Sequence, residues 1–371
     1  MTTTEHVSTI VIGAGQSGLA TGYHLAKQRQ QFVILDAEQR VGDIWRKRFD
    51  SLRLYSPAKY DALPGLDLPG KGWSWPTKDE VADYLEDYAA RFALPVRTGM
   101  AVDQLSRDGD RFVVTAGAHR FTADNVVVAA GGWRTPLTPE FAGELDPDIV
   151  QLHSNDYRNP SQLQPGAALV VGAAHSGADI ALELAAVHPT TLAGPIRGEV
   201  PFRIEGQVAR CVVPIMWFMA NHVLTEKTPI GRKMQVHVRT SGGPLLRVKR
   251  ADLTAAGVTY VPDKVVGVRD GLPVLADGTV LDVRNVVWCT GFNLRLDWID
   301  FPVYGPDGWP DQKQGRSALA DGLYFVGVPF QRAFASMLIG GVGRDAEIVA
   351  KQIATARHVT AKLADAPTSR G

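Results

Sequence analysis

The order of apolar and polar residues predicts an α/β chain in which one structural unit occurs twice. An apolar strand over 8–12 runs into a glycine turn, a helix rich in small residues and a second strand over 32–35. The same order returns at 168–187 and is followed by a strand over 190–193. Strands that alternate with helices in this way build parallel sheets.

The remaining apolar stretches predict the elements between and after these units. Three more buried strands end in small residues and glycine, at 125–131, 286–291 and 322–327. Helical spacing over 77–92 predicts an amphipathic helix, and a final helix is expected over 345–358. Short alternating runs over 100–122 predict a small antiparallel meander.

The spacing of the repeated unit predicts the domain organisation. We expect two Rossmann-like dinucleotide-binding domains, arranged as in disulfide reductases with one inserted in the other. The outer domain is expected to cover 1–160 and 288–371, and the inner domain 161–287. A chain of 371 residues is long enough for two domains of ordinary size.

The first glycine turn has the pattern of a pyrophosphate site. Gly13 permits the tight turn, Gly15 lets a phosphate approach the backbone, and Gly18 lets helix and strand pack closely. Asp36 ends the second strand, where a carboxylate can accept hydrogen bonds from a ribose diol. Gln16 and Ser17 complete the turn at the helix N-terminus, whose partial positive charge favours an anion.

The second glycine turn is less regular. Gly172 and Gly177 match the outer glycines, but Ala174 stands where the middle glycine allows close approach, so this turn either binds a phosphate differently or binds none. His175 and Ser176 follow at the start of the helix. Arg197 lies just after the next strand, where it either grips a 2′-phosphate, which favours NADPH, or is an ordinary surface arginine. Two such turns indicate two dinucleotides and electron transfer between them.

Composition and charge exclude several other functions. Lys plus Arg equals Asp plus Glu at 39 each, so nucleic acid is not an expected partner. The two cysteines, Cys211 and Cys289, form no C-x-x-C pair, and the histidines show no metal-ligand spacing, so we expect neither a dithiol centre nor a metal site. His175, Ser176 and Asp179 share one helix turn without a nucleophile elbow, which argues against a hydrolase triad.

Membrane contact and location follow from the apolar stretches. The most apolar late segment, Cys211–Ala220, is too short to span a bilayer. We predict that it forms a buried helix or pocket wall, with interfacial membrane contact as the alternative. Residues 1–7 are too short and polar for a signal peptide, and the cysteine usage fits a reducing compartment, so a cytoplasmic location is expected.

Several motifs in order along the chain resemble those of flavin-containing monooxygenases, particularly the smaller YUCCA-like and bacterial members. Besides the two turns, these motifs are Val41–Arg46, Ser51–Leu54 with Pro57, His153–Tyr157, Cys289–Phe292 and Gly341–Ala346. The resemblance covers nearly the whole length. It implies that the first turn holds FAD and the second holds NADPH.

The resemblance also implies further cofactor-binding residues. Trp45 and Arg46 are expected beside the flavin, and Thr290 and Gly291 near the nicotinamide. Ser336, Met337 and Leu338 are expected at the pyrimidine end of the flavin. The cofactor-binding prediction also includes Leu54 and Gly131. No catalytic side chain is assigned; the candidates near the flavin are Ser336 and Tyr55, which stands where many members of the family have an asparagine.

The implied activity is FAD- and NADPH-dependent monooxygenation of a small organic substrate by O₂ through a flavin (hydro)peroxide. Two alternatives stay open from the sequence. One is an NADPH-dependent flavoprotein oxidase or reductase that inserts no oxygen. The other is a non-catalytic flavoprotein whose redox state regulates a partner. The sequence specifies neither the substrate nor the oligomeric state.

Overall fold

A mixed sheet with a parallel centre and a smaller parallel sheet, each with helices packed against it, form the framework of the protein. The computed structural model describes residues 4–132 and 135–364, with side chains as far as residue 356. Within these residues the strands are β1 (Thr4–Ile12), β2 (Phe32–Leu35), β3 (Val96–Arg97), β4 (Gln104–Asp108), β5 (Arg111–Ala116), β6 (His119–Val128), β7 (Thr135–Pro136), β8 (Val150–His153), β9 (Ala168–Val171), β10 (Thr190–Ala193), β11 (Thr259–Val261), β12 (Val265–Arg269), β13 (Leu272–Leu275), β14 (Asn285–Trp288), β15 (Phe292–Asn293), β16 (Gln312–Lys313), β17 (Arg316–Ser317) and β18 (Leu323–Phe325). The α-helices are α1 (Gln16–Lys27), α2 (Asp43–Arg46), α3 (Lys78–Arg91), α4 (His175–Leu184), α5 (Ala209–Phe218), α6 (Pro229–Thr240), α7 (Arg250–Ala255) and α8 (Val342–Ala364).

The larger sheet has the strand order β16-β17-β18-β6-β1-β2-β3. β6 pairs with β1 in parallel along its length, and its last three residues also pair in parallel with β18. The first half of β6 pairs instead with the antiparallel β4–β5 hairpin, which confirms the predicted meander. β6 therefore carries three neighbours, and one of them comes from late in the chain.

The smaller sheet has the strand order β11-β10-β9-β14-β8, and every pairing in it is parallel. The predicted α/β class with two dinucleotide-binding sheets is confirmed. The predicted outer domain of 1–160 includes β8, whereas the structure pairs β8 with β14. Strand pairing thus places β8 in the smaller sheet, and the domain boundary at 161 stays a prediction.

The helices pack as their sequences direct. Thr77 caps α3 in a capping box with Glu80, and the apolar face that α3 buries includes Val81, Leu85 and Tyr88. α8 begins at Val342, three residues before the expected start, and packs against α1 on the larger sheet. This packing places the N-termini of α1 and α8 on the same sheet.

The prediction that Cys211–Ala220 forms a buried helix is wrong, while a pocket wall and interfacial membrane contact stay predictions for this segment. α5 buries only Ala209, and a π-helical turn over Met219–Val223 joins it to the loop before α6. The Ile215, Met216 and Phe218 side chains of α5 are exposed, whereas Trp217 packs against Tyr60 of the larger unit. No helix among the described residues is both long enough and apolar enough to cross a membrane.

Candidate active site

The first glycine turn joins β1 to α1 and keeps one open face. Gly13 has a φ of +106°, and a Cβ there would lie 2.5 Å from the Ala129 carbonyl oxygen. A Cβ at Gly18 would overlap the Gly13 carbonyl oxygen. At Gly15, by contrast, a Cβ would meet no heavy atom of the described chain within 4 Å. The turn is thus rigid at both ends and open in the middle, beside the N-terminus of α1.

Asp36 is fixed at the edge of this turn. Its carboxylate accepts a hydrogen bond from the backbone N–H of Ala14, inside the turn, and one from the N–H of Glu38 at 2.8 Å. Ser17 packs against Gly327, which follows β18, so the turn also contacts the late strand. A carboxylate held here keeps lone pairs for a ribose diol and stabilises the turn itself.

We expect Asp36→Ala to weaken FAD binding about 10- to 100-fold, which corresponds to roughly 1–3 kcal/mol for hydrogen bonds to a charged group. The variant loses both the ribose acceptor and the bond to the Ala14 N–H. Titration of the apoprotein with FAD, followed by flavin fluorescence, measures the effect. Asp87→Ala, which removes an exposed carboxylate from α3, is the control. Equal affinities for the two variants would remove Asp36 from the site.

The second glycine turn has the same backbone shape as the first. Gly172 has a φ of +105°, and a Cβ there would overlap the Cys289 carbonyl oxygen. A Cβ at Gly177 would overlap the Gly172 carbonyl oxygen, as in the first turn. Ala174 precedes α4 in an extended conformation like that of Gly15 before α1. Ala174 thus preserves the backbone shape of the turn and changes only the space in which a phosphate would lie.

The space above the second turn is covered. A Cβ at Gly242 would lie 3.1 Å from the Cβ of Ala174, and a Cβ at Gly243 would lie 2.6 Å from Cε1 of His175. The two glycines therefore let the 241–245 segment lie directly on the start of α4. Ser176 follows within the first turn of the helix and is half-buried. A nucleotide bound at this turn would contact the 241–245 segment. At Gly15, by contrast, no described residue other than its chain neighbours lies within 4 Å of the Cβ position.

A buried polar cluster joins the two units beside the second turn. The Tyr55 hydroxyl donates to Asp179 Oδ2 at 2.8 Å, and Arg247 Nη1 lies 3.6 Å from the same oxygen. The Arg247 guanidinium lies 5.2 Å from the Tyr55 ring centroid and donates to the Leu54 carbonyl at 2.7 Å. The His175 ring lies 4.9 Å from the Tyr55 ring. Through its hydrogen bond to Asp179, Tyr55 connects the loop after α2 to helix α4.

Burial sets the charge states in this cluster. It raises the pKa of Asp179, while the Tyr55 hydroxyl and Arg247 partly offset that rise. Burial also raises the pKa of Tyr55 well above its ordinary value and lowers the pKa of His175. Among the described residues His175 Nε2 has no hydrogen-bond partner. Since Asp179 bonds Tyr55 and Arg247 instead of His175, these side chains form no hydrolase triad, as the sequence predicts.

Ser336 lies in a buried turn before α8. Its hydroxyl oxygen accepts the backbone N–H groups of Arg332 at 3.2 Å and Ala333 at 3.1 Å. Arg332 Nε in turn donates to Asp345 Oδ1 at 2.8 Å, and burial raises the pKa of Asp345. The Ser336 hydroxyl therefore holds the loop that leads to the α8 N-terminus. In the structure Ser336 is engaged with its own backbone neighbours.

Met337 and Leu338 continue this loop with half-buried side chains. Trp45, at the end of α2, packs on the core of the larger unit together with the buried Leu54. The Arg46 guanidinium already donates to the Val41 carbonyl and to three carboxylates of α2 and α3, including Asp83 at 2.8 Å. These contacts give Arg46 a structural role, and its predicted place beside a flavin stays a prediction.

The residues at the junction of the two sheets are held by backbone bonds. Thr290 donates through its hydroxyl to the Leu137 carbonyl. The Gly291 carbonyl accepts a hydrogen bond from His153 Nε2 at 3.1 Å, while burial lowers the pKa of His153. Gly131, after β6, has a φ of +82° and open space at its Cβ position. Burial raises the pKa of the Cys289 thiol to about 12, so this thiol is a poor nucleophile at neutral pH.

Three arginines near the site were missed by sequence reasoning. Arg247 completes the Tyr55 cluster, and Arg250 donates to the Ile196 carbonyl at 3.4 Å, one residue before Arg197. Arg48 lies 5.6 Å from the Phe292 ring at the junction, and burial lowers its pKa. None of the three lies in a recognisable motif, so only the folded arrangement reveals them. No group of three or more metal-ligating side chains occurs among the described residues.

Comparison with known proteins extends over both sheets. A profile of the pyridine nucleotide-disulphide oxidoreductase family matches residues 10–193, which include both glycine turns. An uncharacterized oxidoreductase, CzcO-like, from Geobacillus kaustophilus is 38% identical over 94% of this chain and 98% of its own length. A probable indole-3-pyruvate monooxygenase of the YUCCA group from Arabidopsis thaliana is 26% identical over 93% of this chain and 88% of its own length.

Among solved structures, a flavin-containing monooxygenase from Stenotrophomonas maltophilia is similar to the whole fold. It superimposes with a TM-score of 0.70 at 26% identity and covers 95% of this chain and 99% of its own. The similarity therefore includes both units and the loops between them.

Proposed function

This chain belongs to the flavin-containing monooxygenase family, and from that premise we propose that it transfers one atom of O₂ to a small organic substrate with FAD and NADPH as cofactors. It is an enzyme of the flavoprotein monooxygenase type. The proposal covers the identity of the pyridine nucleotide, the substrate class and the expected cytoplasmic location.

The open position at Gly15 carries the FAD assignment. This position lies between two tightly packed glycines and beside the N-terminus of α1, and a side chain there would fill the space that a pyrophosphate needs. Asp36 adds a fixed carboxylate at the distance along the chain where a ribose is bound in dinucleotide sites. The residues that would hold FAD are therefore Gly13–Gly18, Asp36 and the loop before α8.

The second turn and the end of β10 support a second nucleotide. The N-terminus of α4 offers its N–H groups at His175 and Ser176, and Arg197 is exposed just beyond β10. Arg197 makes no hydrogen bond or ion pair with any residue that the structure describes, so its guanidinium is available for a phosphate. Arg250 lies beside it and adds a second positive charge.

When bound, FAD supplies hydride acceptance from the nicotinamide and activation of O₂. The protein itself orients the cofactors, encloses the reacting groups and excludes water from them. The Tyr55–Asp179–Arg247 cluster holds the loop after α2 against α4 and thereby helps to keep the two glycine turns in one relative position. Ser336 fixes the loop before α8, whose N-terminus favours negative charge.

Oxygen labelling tests the proposed reaction. The FAD-loaded enzyme is incubated with NADPH, ¹⁸O₂ and a panel of amines, thioethers, ketones and 2-oxo acids, and NADPH consumption, product mass and hydrogen peroxide are measured. One ¹⁸O atom in an organic product supports the proposal. NADPH consumption with hydrogen peroxide and no labelled product supports an oxidase instead, and no flavin reduction on a catalytic timescale supports a non-catalytic flavoprotein.

We expect Arg197→Ala to raise the KM for NADPH about 10-fold while it leaves the KM for NADH nearly unchanged, since one charge-assisted phosphate contact is worth about 1.4 kcal/mol. Steady-state NADPH and NADH oxidation by the same preparation measures both constants. Arg269→Ala, which removes an exposed arginine on β12, is the control. Equal increases for the two nucleotides would show that Arg197 does not contact the 2′-phosphate.

A further inference from the structure

The exposed apolar side chains of this protein are concentrated in one segment. Thirteen large apolar residues are exposed among the described residues, and seven of them lie between 208 and 236. We call this set the apolar surface; its members are Val208, Ile215, Met216, Phe218, Met219, Ile230 and Val236. Exposed apolar residues in this number within one segment are typical of an interaction site.

The members on and next to α5 follow one helical stripe. Val208 directly before α5, Ile215 on it and Met219 directly after it have the i, i+7, i+11 spacing, and Met216 and Phe218 flank this stripe. Ile215 and Phe218 are 62% and 60% exposed. The opposite side of the segment is anchored to the larger unit, because the Trp217 and Tyr60 rings lie 5.2 Å apart and the Phe334 N–H bonds the Leu224 carbonyl at 2.9 Å. The apolar surface thus faces away from the protein.

The segment that carries the apolar surface also has an excess of positive charge. Residues 208–240, all of them described, contain five Lys and Arg side chains and a single carboxylate, Glu226, which is half-buried. The exposed cations are Arg210, Lys227, Arg232 and Lys233. This local excess contrasts with the equal numbers of acidic and basic residues in the whole chain. Apolar residues among exposed Lys and Arg are typical of helices that lie in the interface of an anionic bilayer.

We propose that α5, the π-helical turn and α6 bind the surface of a membrane that contains anionic lipids. The apolar side chains enter the interface, and the four exposed cations meet lipid phosphates. A second copy of the chain fits this surface less well, since two-fold pairing would set these cations against each other with no exposed carboxylate in the segment to offset them. The proposal concerns peripheral contact and is independent of the chemistry at the glycine turns.

Vesicle binding by the FAD-loaded protein tests this proposal. We expect sedimentation with vesicles of phosphatidylcholine containing about a third phosphatidylglycerol, little sedimentation with phosphatidylcholine alone, and weaker binding at 0.5 M than at 0.1 M NaCl, because salt screens surface charge. Cys211 is exposed on α5, whereas Cys289 is half-buried and burial raises the pKa of its thiol, so a polarity-sensitive fluorophore can be attached selectively at Cys211 near neutral pH. Its emission should shift to the blue when the anionic vesicles are added.

Two pairs of substitutions separate the contributions. Ile215→Ser with Phe218→Ser, and independently Arg232→Glu with Lys233→Glu, should each lower binding to anionic vesicles at least about 10-fold. Val187→Ser with Leu319→Ser is the control, since these residues are 63% and 48% exposed elsewhere on the protein. Flavin content and circular dichroism confirm that each variant is folded.

Three results would overturn the proposal: no sedimentation with anionic vesicles, equal binding by all three pairs of variants, or an unshifted Cys211 fluorophore on bound protein. Light scattering measures whether a second copy of the chain, instead of a membrane, covers the apolar surface. A dimer that Ile215→Ser with Phe218→Ser converts to a monomer would assign the surface to a second copy of the chain.

Discussion

Replacing Gly15 by valine should give a folded protein that no longer retains FAD. The φ of Gly15 is −74°, which valine adopts without strain, and a Cβ there meets no atom of the described chain within 4 Å. The protein alone therefore accommodates the side chain. A pyrophosphate cannot, because the isopropyl group occupies the space in which phosphate oxygens reach the N–H groups of α1. We expect a fall in FAD affinity of at least about 100-fold, or roughly 3 kcal/mol.

The absorbance of the purified protein near 450 nm, together with the flavin released on denaturation, measures this loss. Gly267→Val is the matched control, because Gly267 lies on β12 and likewise has open space at its Cβ position. The control should remain yellow, and circular dichroism should show that both variants are folded. A yellow Gly15→Val protein with a full complement of FAD would refute the assignment of the first turn.

The second large effect concerns Asp61 and should appear as a change in the pH dependence of stability. Asp61 is 2% exposed, and only one of its carboxylate oxygens has a hydrogen-bond partner, the Ser56 hydroxyl at 2.7 Å. Burial raises the pKa of this carboxyl from 3.8 to about 7. Asp61 lies in the same loop as Tyr55, so ionisation of its carboxyl destabilises a segment that contacts both units.

The sign of the effect follows from proton uptake. Between about pH 4 and 7 the folded protein keeps the Asp61 proton while the unfolded chain has lost it, so stability falls as pH rises through this range. Above pH 7 the loss is complete, and below pH 4 it is absent. A difference of about three pH units corresponds to roughly 4 kcal/mol at most, and we expect about 2–4 kcal/mol.

Asp61→Asn should remove this dependence. The free energy of unfolding of the variant relative to the parent, measured by urea denaturation with saturating FAD, should increase by about 2–4 kcal/mol between pH 4 and pH 8. Comparing the two pH values cancels the constant cost of burying an amide. Asp87→Asn, at an exposed site on α3, should show no such trend. Parallel pH profiles for parent and Asp61→Asn would contradict the burial of an ionisable carboxyl at this position.

Much of the fold could be predicted because it depends on local patterns. The strands that end in glycine and the small-residue helices specify both parallel sheets, and Thr77 with Glu80 marks the start of α3 within one residue. The two turns share one backbone shape, as their sequences indicate. These features need only short-range information, since each glycine is required by contacts within its own turn and the adjacent strand.

The features that sequence reasoning missed depend on contacts between distant segments. β8 joins the inner sheet through β14, which lies more than 130 residues later, so no local signal marks it. The hydrogen bond from Tyr55 to Asp179 spans 124 residues, so no local pattern predicts it, and the place of Tyr55 beside a flavin stays a prediction. α5 is apolar enough to be buried, and only the assembled protein shows that Ile215, Met216 and Phe218 are exposed.

The position of β18 has a consequence for how the chain is made. The last residues of β6 gain their second parallel neighbour only when residues 323–325 are available, and Gly327 then packs against Ser17 in the first turn. All strands of the smaller sheet, by contrast, are available once residue 288 has left the ribosome. Domains fold as units during synthesis. The unit that holds the smaller sheet can thus become native while the polypeptide is still being translated, whereas the proposed FAD site is completed only after residue 327 has been added.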